Sequence, residues 1–567
     1  MEMKKFTAIM TSVLLSASCL AGCGSGQAPE AGKTASADTT QGSEKGTAVQ
    51  TESSSAAAEE AGDPFGKYPE EITLTCVRTL ESTVKFEEGN LDRASLEQNI
   101  WQRAYKEQLG INLEYLWTPT TEQYNAKWNV AMASGDIPDC GVVDAITYKA
   151  LVEADLVEDM TDIYEQYASD SYKQAVADED YLSKNYMTFD GRLLGLPQPG
   201  TQADSVNMMF IRKDWLDKVN MEAPTTIEEL EKVAKAFQDA KLGGDSTIGI
   251  AACNSVEAGI HGLKGIMDAY GAYYDIWVED GSGKLEYGTI SEEMKDALLE
   301  LQKMYKDGLL PVDMATLDNT QAGEAVVSGK CGITFGTFWA PLNSISDNVK
   351  ADENAQWIVC GLPTPDGSPF KTSASAEPSG YVFVKKGCEH PEAVVKLMNL
   401  GFKIFESGDR DYNVDDQGFE VFKYKFAYYT DIPWKNLNSQ ILIKEALETG
   451  DTSKFTPNDQ NNYEQVVAGM NGSRDSIGML LTFGPEGTFA LIDQLKKEDR
   501  IVANAYQALV TDTMSEKGTD LKANLDAAIY KVIMGDDISV FDKAVEAWKT
   551  NGGNQMIQEV NDWYSSR

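Results

Sequence analysis

The amino-acid sequence predicts an α/β protein composed of doubly wound units. Short apolar strand patterns alternate with amphipathic helix patterns, and this alternation starts a second time at the strand pattern MMFIRK. The chain has 567 residues, which is too long for one hydrophobic core. Two or more α/β domains are therefore expected.

The N-terminal residues 1–22 have the organisation of a secretory signal peptide. Lys4 and Lys5 precede the apolar run FTAIMTSVLLSASCL, which is too short for a permanent membrane span. The segment LAGC that ends at Cys23 resembles the lipobox of bacterial lipoproteins. This resemblance implies cleavage before Cys23 and a lipid on that residue, and the alternative is an ordinary signal peptide with a chance cysteine.

A low-complexity segment follows the signal. From Gly24 to about Gly62 the chain is rich in Ala, Gly, Ser, Thr and Glu and contains no aromatic residue, Leu or Ile. Such a composition cannot form a core, and roughly 40 residues of it have a root-mean-square reach of about 35 Å. We predict a disordered tether over residues 23–68.

The first α/β unit begins after the tether. The strand EITLTCVR, in which Ile72, Leu74 and Cys76 alternate, precedes the helix NIWQRAYKEQL, which ends at Gly110. The strand INLEYLW, a helix that ends near Ser134 and the strand CGVVD follow in that order. This alternation of strand and helix predicts one doubly wound lobe.

The second unit begins with MMFIRK. The helix after it has a capping box of Thr226 and Glu229, with Leu230, Val233, Ala234 and Phe237 on one face. SEEMKDALLELQKMYKDGLL predicts another amphipathic helix, which ends at Gly308. The strand GYVFVKK and the helix HPEAVVKLMNL follow, and the C-terminal part is mostly helical in pattern.

The charge of the chain argues against polyanionic partners. The sequence has 89 acidic and 49 basic residues, for a formal net charge of -40. Such a surface repels the phosphates of nucleic acids and anionic lipid headgroups. We therefore expect no nucleic acid partner.

Metal and disulfide sites are not expected. The cysteines beyond Cys23 are far apart and have no CxxC spacing, which argues against a disulfide framework or a structural zinc site. Residues 411–415 have the alternating oxygen side chains of a calcium loop, but Asp416 and Phe422 stand where that loop needs Gly and Glu. We predict no metal and no cofactor.

Catalytic signatures are weak. His261 and His390 are the two histidines, so an HExxH zinc site cannot be built, and no GxSxG elbow occurs. A glycosidase needs two carboxylates on either side of the bond, and the 89 acidic residues leave that alternative open. We predict no catalytic residues.

Tryptophans at strand ends are the strongest candidates for ligand contact. Trp117, Trp339 and Trp434 lie in the segments LWTP, FWAP and IPWKN, outside helical patterns. In a doubly wound sheet, ligands bind beyond the carboxyl ends of the strands, and an indole there offers an apolar face to a sugar ring. Asp144 also ends a strand, CGVVD, and its carboxylate can accept hydrogen bonds from hydroxyls.

Several segments in order along the chain resemble one family. They are ASGDIPD, DGRLLGLP, FIRKDWLDKV, PTTIEEL, DGSGKLEYG, MYKDGLLP, AVVSGKCGITFGTFW and KKGCEHPEAVVKLMN. Together they resemble the extracellular solute-binding lipoproteins of carbohydrate ABC importers, the family 1 solute-binding proteins similar to the maltose-binding protein. The match covers almost the whole mature chain and is less clear after residue 405.

The resemblance implies a type II periplasmic-binding-protein-like fold: two doubly wound lobes with a hinge, and here a helical C-terminal extension. The ligand would lie in the cleft, and the lobes would close on it. The expected boundaries are residues 69–203 and 376–430 for lobe 1, and 204–375 and 431–567 for lobe 2.

The resemblance also implies binding residues. Trp339 in GTFW is similar to the family's stacking tryptophan, and Asp144 is similar to its hydroxyl-binding aspartate, with Tyr148 in the same loop. His261 falls near another family contact position, and Arg78 lies just past the first strand. The predicted ligand-binding set is Trp339, Asp144, Trp117, Tyr148, Arg78, His261 and Trp434.

The function implied by the resemblance is that of a receptor without catalysis. Such a protein captures an oligosaccharide and delivers it to the transmembrane subunits of an ABC permease. The lipid on Cys23 would hold it, as a monomer, on the outer face of the bacterial cell membrane. The alternatives are a secreted glycoside hydrolase or lyase, and a peptide-binding or sensory receptor of the same fold.

Overall fold

The computed structural model of the protein describes most of the chain after the predicted tether. The described residues are 62–78, 84–118, 123–180, 182–200, 202–375, 378, 380–427 and 430–567. Cys23, the predicted signal peptide and most of the predicted tether lie outside the described residues.

Two hydrophobic cores define two lobes. With the exception of Leu509, buried apolar residues between 74 and 196 and between 381 and 427 form the core of lobe 1. Those between 206 and 374 and between 437 and 560 form the core of lobe 2. The chain therefore passes from one lobe to the other between Leu196 and Val206, between Ala374 and Tyr381, and between Ala427 and Leu437.

The strands and helices are numbered in chain order. The described residues contain the strands β1 (Ile72–Val77), β2 (Ile111–Trp117), β3 (Cys140–Val143), β4 (Thr188–Phe189), β5 (Arg192–Leu193), β6 (Met208–Arg212), β7 (Trp277–Glu279), β8 (Leu285–Tyr287), β9 (Ile333–Gly336), β10 (Trp357–Cys360), β11 (Thr372–Ala374), β12 (Tyr381–Val384) and β13 (Ile501–Ala503). The first half of the described chain contains the helices α1 (Ile100–Ala104), α2 (Tyr124–Ser134), α3 (Ala145–Glu153), α4 (Thr161–Tyr167), α5 (Asp170–Asp178), α6 (Leu182–Tyr186), α7 (Lys213–Val219), α8 (Ile227–Asp239), α9 (Lys264–Ala269) and α10 (Glu292–Lys306). The second half contains the helices α11 (Asn319–Val327), α12 (Ser344–Ala351), α13 (Pro391–Ser407), α14 (Lys435–Thr449), α15 (Pro457–Met470), α16 (Ile477–Phe483), α17 (Thr488–Lys497), α18 (Asp512–Ile533), α19 (Ser539–Trp548) and α20 (Asn554–Ser565).

Lobe 1 is built on a four-stranded sheet in the order β12-β3-β1-β2. β1 is parallel to β2 and to β3, and β12 is antiparallel to β3. The predicted alternation in β1 is confirmed, because Leu74 and Cys76 are buried. Since β1 and β3 are parallel neighbours, Arg78 and Asp144, which follow them, lie at the same edge of the sheet.

Lobe 2 contains the sheet β10-β6-β9, whose pairs are antiparallel. All of β6 is buried. The predicted capping box at the start of α8 is present, because the Thr226 hydroxyl accepts from the Glu229 N–H and the Glu229 carboxylate accepts from the Thr226 N–H. The predicted apolar face of α8 is buried in the core of lobe 2. Local helix signals in this lobe therefore agree with its structure.

The helical C-terminal extension packs on lobe 2. Its longest helix, α18, buries Leu525, Ile529 and Val532 in the core of lobe 2. Gln302 on α10 donates from its amide to the backbone oxygen of Val532 at the end of α18. Within the described part of the chain, no helix has the length and apolar composition needed to cross a membrane.

Two boundaries differ from those expected from the sequence. The end of the predicted tether is attached to lobe 1, where the Tyr68 N–H donates to the Leu109 oxygen at 2.9 Å and the Asn399 amide donates to the Pro64 oxygen at 2.9 Å. Leu509, in a region assigned by sequence to lobe 2, is buried in the core of lobe 1. Tyr68 is packed against the core of lobe 1 and Leu509 is part of it, so both differences bury apolar surface in this lobe.

Candidate ligand-binding cleft

A cavity of about 660 Å³ lies between the two lobes. This volume falls within the range of about 300 to 1,000 Å³ that is typical of ligand pockets. Lobe 1 and the crossing next to it contribute Asp144, Ala145, Ile146, Pro378, Gly380 and Tyr381. The other lining residues are Asp275, Trp277, Tyr287, Asn504, Val510, Met514, Gly518, Thr519, Lys522, Ala523, Asp526, Trp548 and Met556.

One face of α18 forms much of the wall from lobe 2. Gly518, Thr519, Lys522, Ala523 and Asp526 follow the spacing of neighbouring positions on a helix surface. Three of these residues are small, so the helix backbone lies close to the cavity. Lys522 and Asp526 are the polar side chains that this face supplies.

Lys522 is surrounded by carboxylates. Its Nζ lies 3.1 Å from an Asp526 oxygen, 3.5 Å from a Glu257 oxygen and 3.8 Å from an Asp275 oxygen. It also lies 4.7 Å from the centre of the Tyr274 ring. Burial alone would lower the pKa of Lys522, but the three carboxylates outweigh it and raise this pKa. Lys522 is therefore protonated at neutral pH.

Asp275 is held in a fixed position at the cavity. Its carboxylate accepts a hydrogen bond from the Tyr287 hydroxyl, and its N–H donates to the Thr289 hydroxyl at 2.8 Å. Burial raises the pKa of Asp275 to about 6, although Lys522 opposes this shift. The side chain is one-third exposed, so it remains accessible from the cavity.

Three aromatic residues form a rigid apolar wall. Trp277 and Tyr287 are paired residues of the hairpin β7–β8, and their ring centres are 5.3 Å apart. Tyr287 stacks on Trp548 at 5.4 Å with an angle of 10°. These residues are 4–8% exposed, so little of their ring surface is open to the cavity.

Asp144 is the predicted site residue that lines this cavity. It is the N-cap of α3, where its Oδ1 accepts from the Thr147 N–H at 2.7 Å. Its own N–H donates to the Tyr124 hydroxyl at 3.1 Å. The residue is exposed, so its carboxylate can be reached by a ligand from the side of lobe 1.

The structure places Tyr148 and Arg78 inside lobe 1. Tyr148 is fully buried and stacks on Tyr381 at 5.0 Å, so it supports a lining residue from behind. Arg78 is buried as well, and its guanidinium donates to the backbone oxygens of Lys425 and Lys423 at 3.1 and 2.8 Å. Tyr148 and Arg78 therefore do not line the cavity and have structural contacts inside lobe 1.

His261 is buried in lobe 2, away from the cavity surface. Its Nδ1 lies 2.8 Å from the Thr334 hydroxyl and its Nε2 lies 3.2 Å from the Ser344 hydroxyl. Burial lowers the pKa of His261 to about 4, so the ring is neutral at physiological pH. These two hydrogen bonds account for both ring nitrogens, and the structure therefore gives His261 a packing position.

Trp339 follows β9 and lies next to the loop that contains Glu257 and Gly259. Its ring packs against Gly259, where a Cβ atom would lie 2.3 Å from the Trp339 Cζ2. Glu257, in the same loop as Gly259, forms the ion pair with Lys522. Trp339 is half-buried and does not line the cavity itself. Through this loop it is a neighbour of the charged cluster, which consists of Lys522, Asp526, Asp275 and Glu257.

Trp117 and Trp434 lie apart from the cavity lining. Trp117 is half-buried and packs edge to face with Trp128, with ring centres 5.2 Å apart. Trp434 precedes α14 with a φ angle of 61°, and the Lys496 Nζ lies 3.3 Å from its ring centre. Lys496 therefore covers one face of the Trp434 ring.

The residues that lobe 2 contributes to the cavity were not predicted from the sequence. Lys522 and Asp275 are far apart in the chain and meet only after folding. A signal was present in α18, because Gly518, Thr519 and Ala523 give this helix a face without the large apolar residues of a core-facing helix. A small-residue face next to a Lys and an Asp four residues apart is compatible with a cavity wall.

The calcium-like segment is held by an arginine. The Arg93 Nε donates to the Asp415 carboxylate at 2.6 Å, and its NH2 group donates to the Gln417 side-chain oxygen at 2.6 Å. A guanidinium therefore supplies the positive charge next to Asp415. Across the described ranges, no group of three or more His, Cys, Asp or Glu side chains could hold a metal ion.

Two hinged lobes with a cavity between them define a ligand-binding protein of the type II periplasmic-binding class. The model of the family "Bacterial extracellular solute-binding protein" matches residues 89–402 of this chain. The chain belongs to this family, and the prediction of a family 1 solute-binding protein is confirmed. Two of its relatives have names that state the binding of a polysaccharide or of a transporter substrate.

Two relatives from Bacillus subtilis (strain 168) match most of the chain. The polygalacturonan/rhamnogalacturonan-binding protein YtcQ is 26% identical over 79% of this chain and 85% of its own length. Lipoprotein LipO is 26% identical over 82% of this chain and 88% of its own length.

A solved structure has the same fold. It is an EF-hand mutant of the Streptococcus pneumoniae ABC-transporter substrate-binding protein FusA in complex with fructo-nystose. It matches with a TM-score of 0.60 and 14% identity over 87% of this chain and 99% of that chain.

Proposed function

We propose that this protein is the substrate-binding protein of a carbohydrate ABC importer. It captures an oligosaccharide in the cavity between the lobes and delivers it to the transmembrane subunits of the permease. The observation that carries the proposal is a cavity of about 660 Å³ lined by polar side chains from both lobes. YtcQ and FusA are named for binding to polysaccharides or oligosaccharides, which supports a carbohydrate ligand.

Ligand capture by this site depends on contact with both lobes. Asp144 offers a carboxylate from lobe 1, while Lys522 and Asp526 offer an ammonium and a carboxylate from α18. A sugar with several hydroxyls can bind these groups together only when the lobes are close to each other. A ligand shifts the balance between open and closed forms only through such a difference in affinity.

The proposal includes the place of the protein in the cell. The lipobox-like segment supports a lipid on Cys23, which would hold the protein, as a monomer, on the outer face of the cell membrane. The low-complexity segment after Cys23 would leave the lobes free to reorient near the permease. The protein performs no chemical step in this scheme.

A thermal-shift screen of the purified protein tests the proposed function. Oligosaccharides of different composition would be compared with peptides and with calcium. A ligand that binds only the folded protein raises its melting temperature, so we expect a rise with at least one oligosaccharide. A response to peptides alone would contradict the proposal, and so would the release of reducing ends from a polysaccharide by the purified protein.

A further inference from the structure

We propose that the cavity selects uncharged oligosaccharides and discriminates against uronate oligosaccharides. This inference rests on the proposed function, because it defines the class of sugar that the same cavity accepts. The relative YtcQ would suggest the opposite ligand class, because its name includes polygalacturonan, a polymer with a carboxylate on each galacturonate unit.

Acidic side chains exceed basic ones in the cavity. Asp144, Asp275 and Asp526 line it, and among the described lining residues Lys522 is the one cationic side chain. Glu257 adds another carboxylate within 3.5 Å of the Lys522 Nζ. The residues after position 61 that the structure does not describe include no Lys or Arg in the sequence. The cavity therefore has a net negative charge.

The charge of Lys522 is already compensated. Three carboxylates lie within 3.8 Å of its Nζ, and they belong to Asp526 on α18, to Asp275 two residues before β7 and to Glu257. A uronate that approached Lys522 would also approach these three carboxylates. Because like charges next to each other in an interface are unfavourable, Lys522 is a poor receptor for an anionic sugar.

The partial positive charge at the N-terminus of α3 is also compensated by a side chain of the protein. α3 begins at the cavity wall, and a free helix N-terminus can bind anions through its N–H groups. Here the Asp144 carboxylate accepts the Thr147 N–H at 2.7 Å and brings its own negative charge to this position. The feature of lobe 1 that could attract a carboxylate is therefore occupied by a side chain of the protein.

The same groups suit a neutral sugar. Carboxylates accept hydrogen bonds from hydroxyls, and Asp144, Asp275 and Asp526 place such acceptors around the cavity. Each hydroxyl of a neutral sugar can thus act as a donor towards the protein without bringing a second negative charge.

Calorimetric titration of the purified full-length protein tests this selection. The probes are tetrasaccharides of galactose, xylose, arabinose and fructose, together with tetragalacturonate at the same concentration. We expect at least one neutral tetrasaccharide to bind at least about tenfold more tightly than tetragalacturonate. Tighter binding of tetragalacturonate than of all neutral probes would overturn the inference and leave the proposed function intact. Binding of no glycan would instead count against the proposed function.

The salt dependence gives a second readout with a definite sign. Salt screens the repulsion between a uronate and the acidic cavity, so tetragalacturonate affinity should rise as sodium chloride is added. The affinity of the neutral probe should stay nearly constant. A uronate affinity that falls with salt would indicate recognition by a cation and would contradict the inference.

The Glu257→Gln variant tests the role of charge compensation. Glu257 does not line the cavity, and its replacement removes one of the carboxylates around Lys522. We expect the affinity for tetragalacturonate to rise several-fold, with little change for the neutral probe. Glu324→Gln, at an exposed position on α11, is the matched control. Equal effects of the two variants on uronate affinity would show that the Glu257 carboxylate does not weaken uronate binding at Lys522.

Discussion

Asp144 combines two tasks in one carboxylate. It caps α3 through the Thr147 N–H, and it faces the cavity from lobe 1. Asparagine caps a helix about as well as aspartate, so a change to Asn separates the two tasks. The helix should keep its N-cap while the ligand loses a charged acceptor.

We expect Asp144→Asn to lower sugar affinity about tenfold and to leave the free energy of unfolding nearly unchanged. A hydrogen bond to a charged acceptor is stronger than one to an amide, which is the reason for the loss. Asp318→Asn is the control, because Asp318 is also an N-cap aspartate but lies outside the cavity lining. Calorimetry and urea unfolding measure the two effects, and equal affinities of the two variants would remove Asp144 from the site.

Glu179 is a half-buried carboxylate next to the first crossing between the lobes. It accepts hydrogen bonds from the Ser183 N–H at 2.9 Å and from the Gly200 N–H at 3.3 Å. Burial raises the pKa of Glu179 from 4.5 to about 7. The folded protein therefore holds this proton more tightly than the unfolded chain, and the free energy of unfolding decreases as the pH rises from 4.5 towards 7.

Glu179→Gln should flatten this part of the pH dependence. The variant cannot titrate at this position, so we expect a smaller decrease in the free energy of unfolding between about pH 5 and pH 7 than in the unmodified protein. Urea unfolding at several pH values measures the slope. Glu448→Gln, at an exposed position on α14, is the control and should keep the original slope. An unchanged slope in Glu179→Gln would contradict the raised pKa.

Among the secondary-structure elements, the turn after β9 connects a predicted binding residue to the charged cluster. It carries Trp339, whose ring packs on Gly259 in the loop that also holds Glu257. The ring is half-buried, so part of its surface is accessible to a ligand. We expect Trp339→Ala to lower sugar affinity about thirtyfold, or about 2 kcal/mol.

Leu342→Ala is the matched control for this turn. Leu342 is an exposed large apolar residue in the same segment, so its removal changes apolar surface without removing an aromatic ring. Its sugar affinity should remain close to that of the unmodified protein. Unchanged affinity in Trp339→Ala would instead place the indole outside the binding site.

Elements with local signals could be predicted from the sequence. The capping box of Thr226 and Glu229 spans four residues, and the alternation in β1 spans six, so both patterns are complete within one element. The site is different, because Asp275 and Lys522 are brought together by the packing of α18 on lobe 2. Asp144 was predictable because a strand end and a helix start coincide there.

The helical period explains why Tyr148 differs from Asp144. Asp144 is the N-cap and stays exposed, whereas Tyr148 lies about one turn later on the face of α3 that packs on β12. Asp144 and Tyr148 are therefore close in the sequence, but one is exposed at the cavity and the other is buried in lobe 1. His261 shows the same limit, since a position near a family contact left both of its ring nitrogens bonded inside lobe 2.

At the scale of the whole molecule, an ion pair joins the lobes beside the cavity. Lys149 on α3 lies 2.6 Å from Asp512 at the start of α18. The Asp512 side chain is 80% exposed, so the pair contributes less than about 1 kcal/mol. An energy of this size has little effect on folding but can change the balance between open and closed lobes about fivefold.

Lys149→Met should therefore favour more open forms. Without ligand, we expect a larger radius of gyration by small-angle X-ray scattering and a nearly unchanged free energy of unfolding. Lys173→Met is the control, because Lys173 pairs with Glu165 inside lobe 1. The same increase in radius in both variants would show that the Lys149–Asp512 pair does not hold the lobes together.

The return of residues 506–511 to lobe 1 limits how the two halves can move. The Tyr186 hydroxyl donates to the Tyr506 oxygen at 3.1 Å, and Leu509 is buried in the core of lobe 1. A wide opening must withdraw this leucine into water, at a cost of about 2 kcal/mol. Residues 506–511 therefore act as a tie between the lobes. Small changes in the angle between the lobes cost little free energy, whereas a wide opening is opposed by the burial of Leu509.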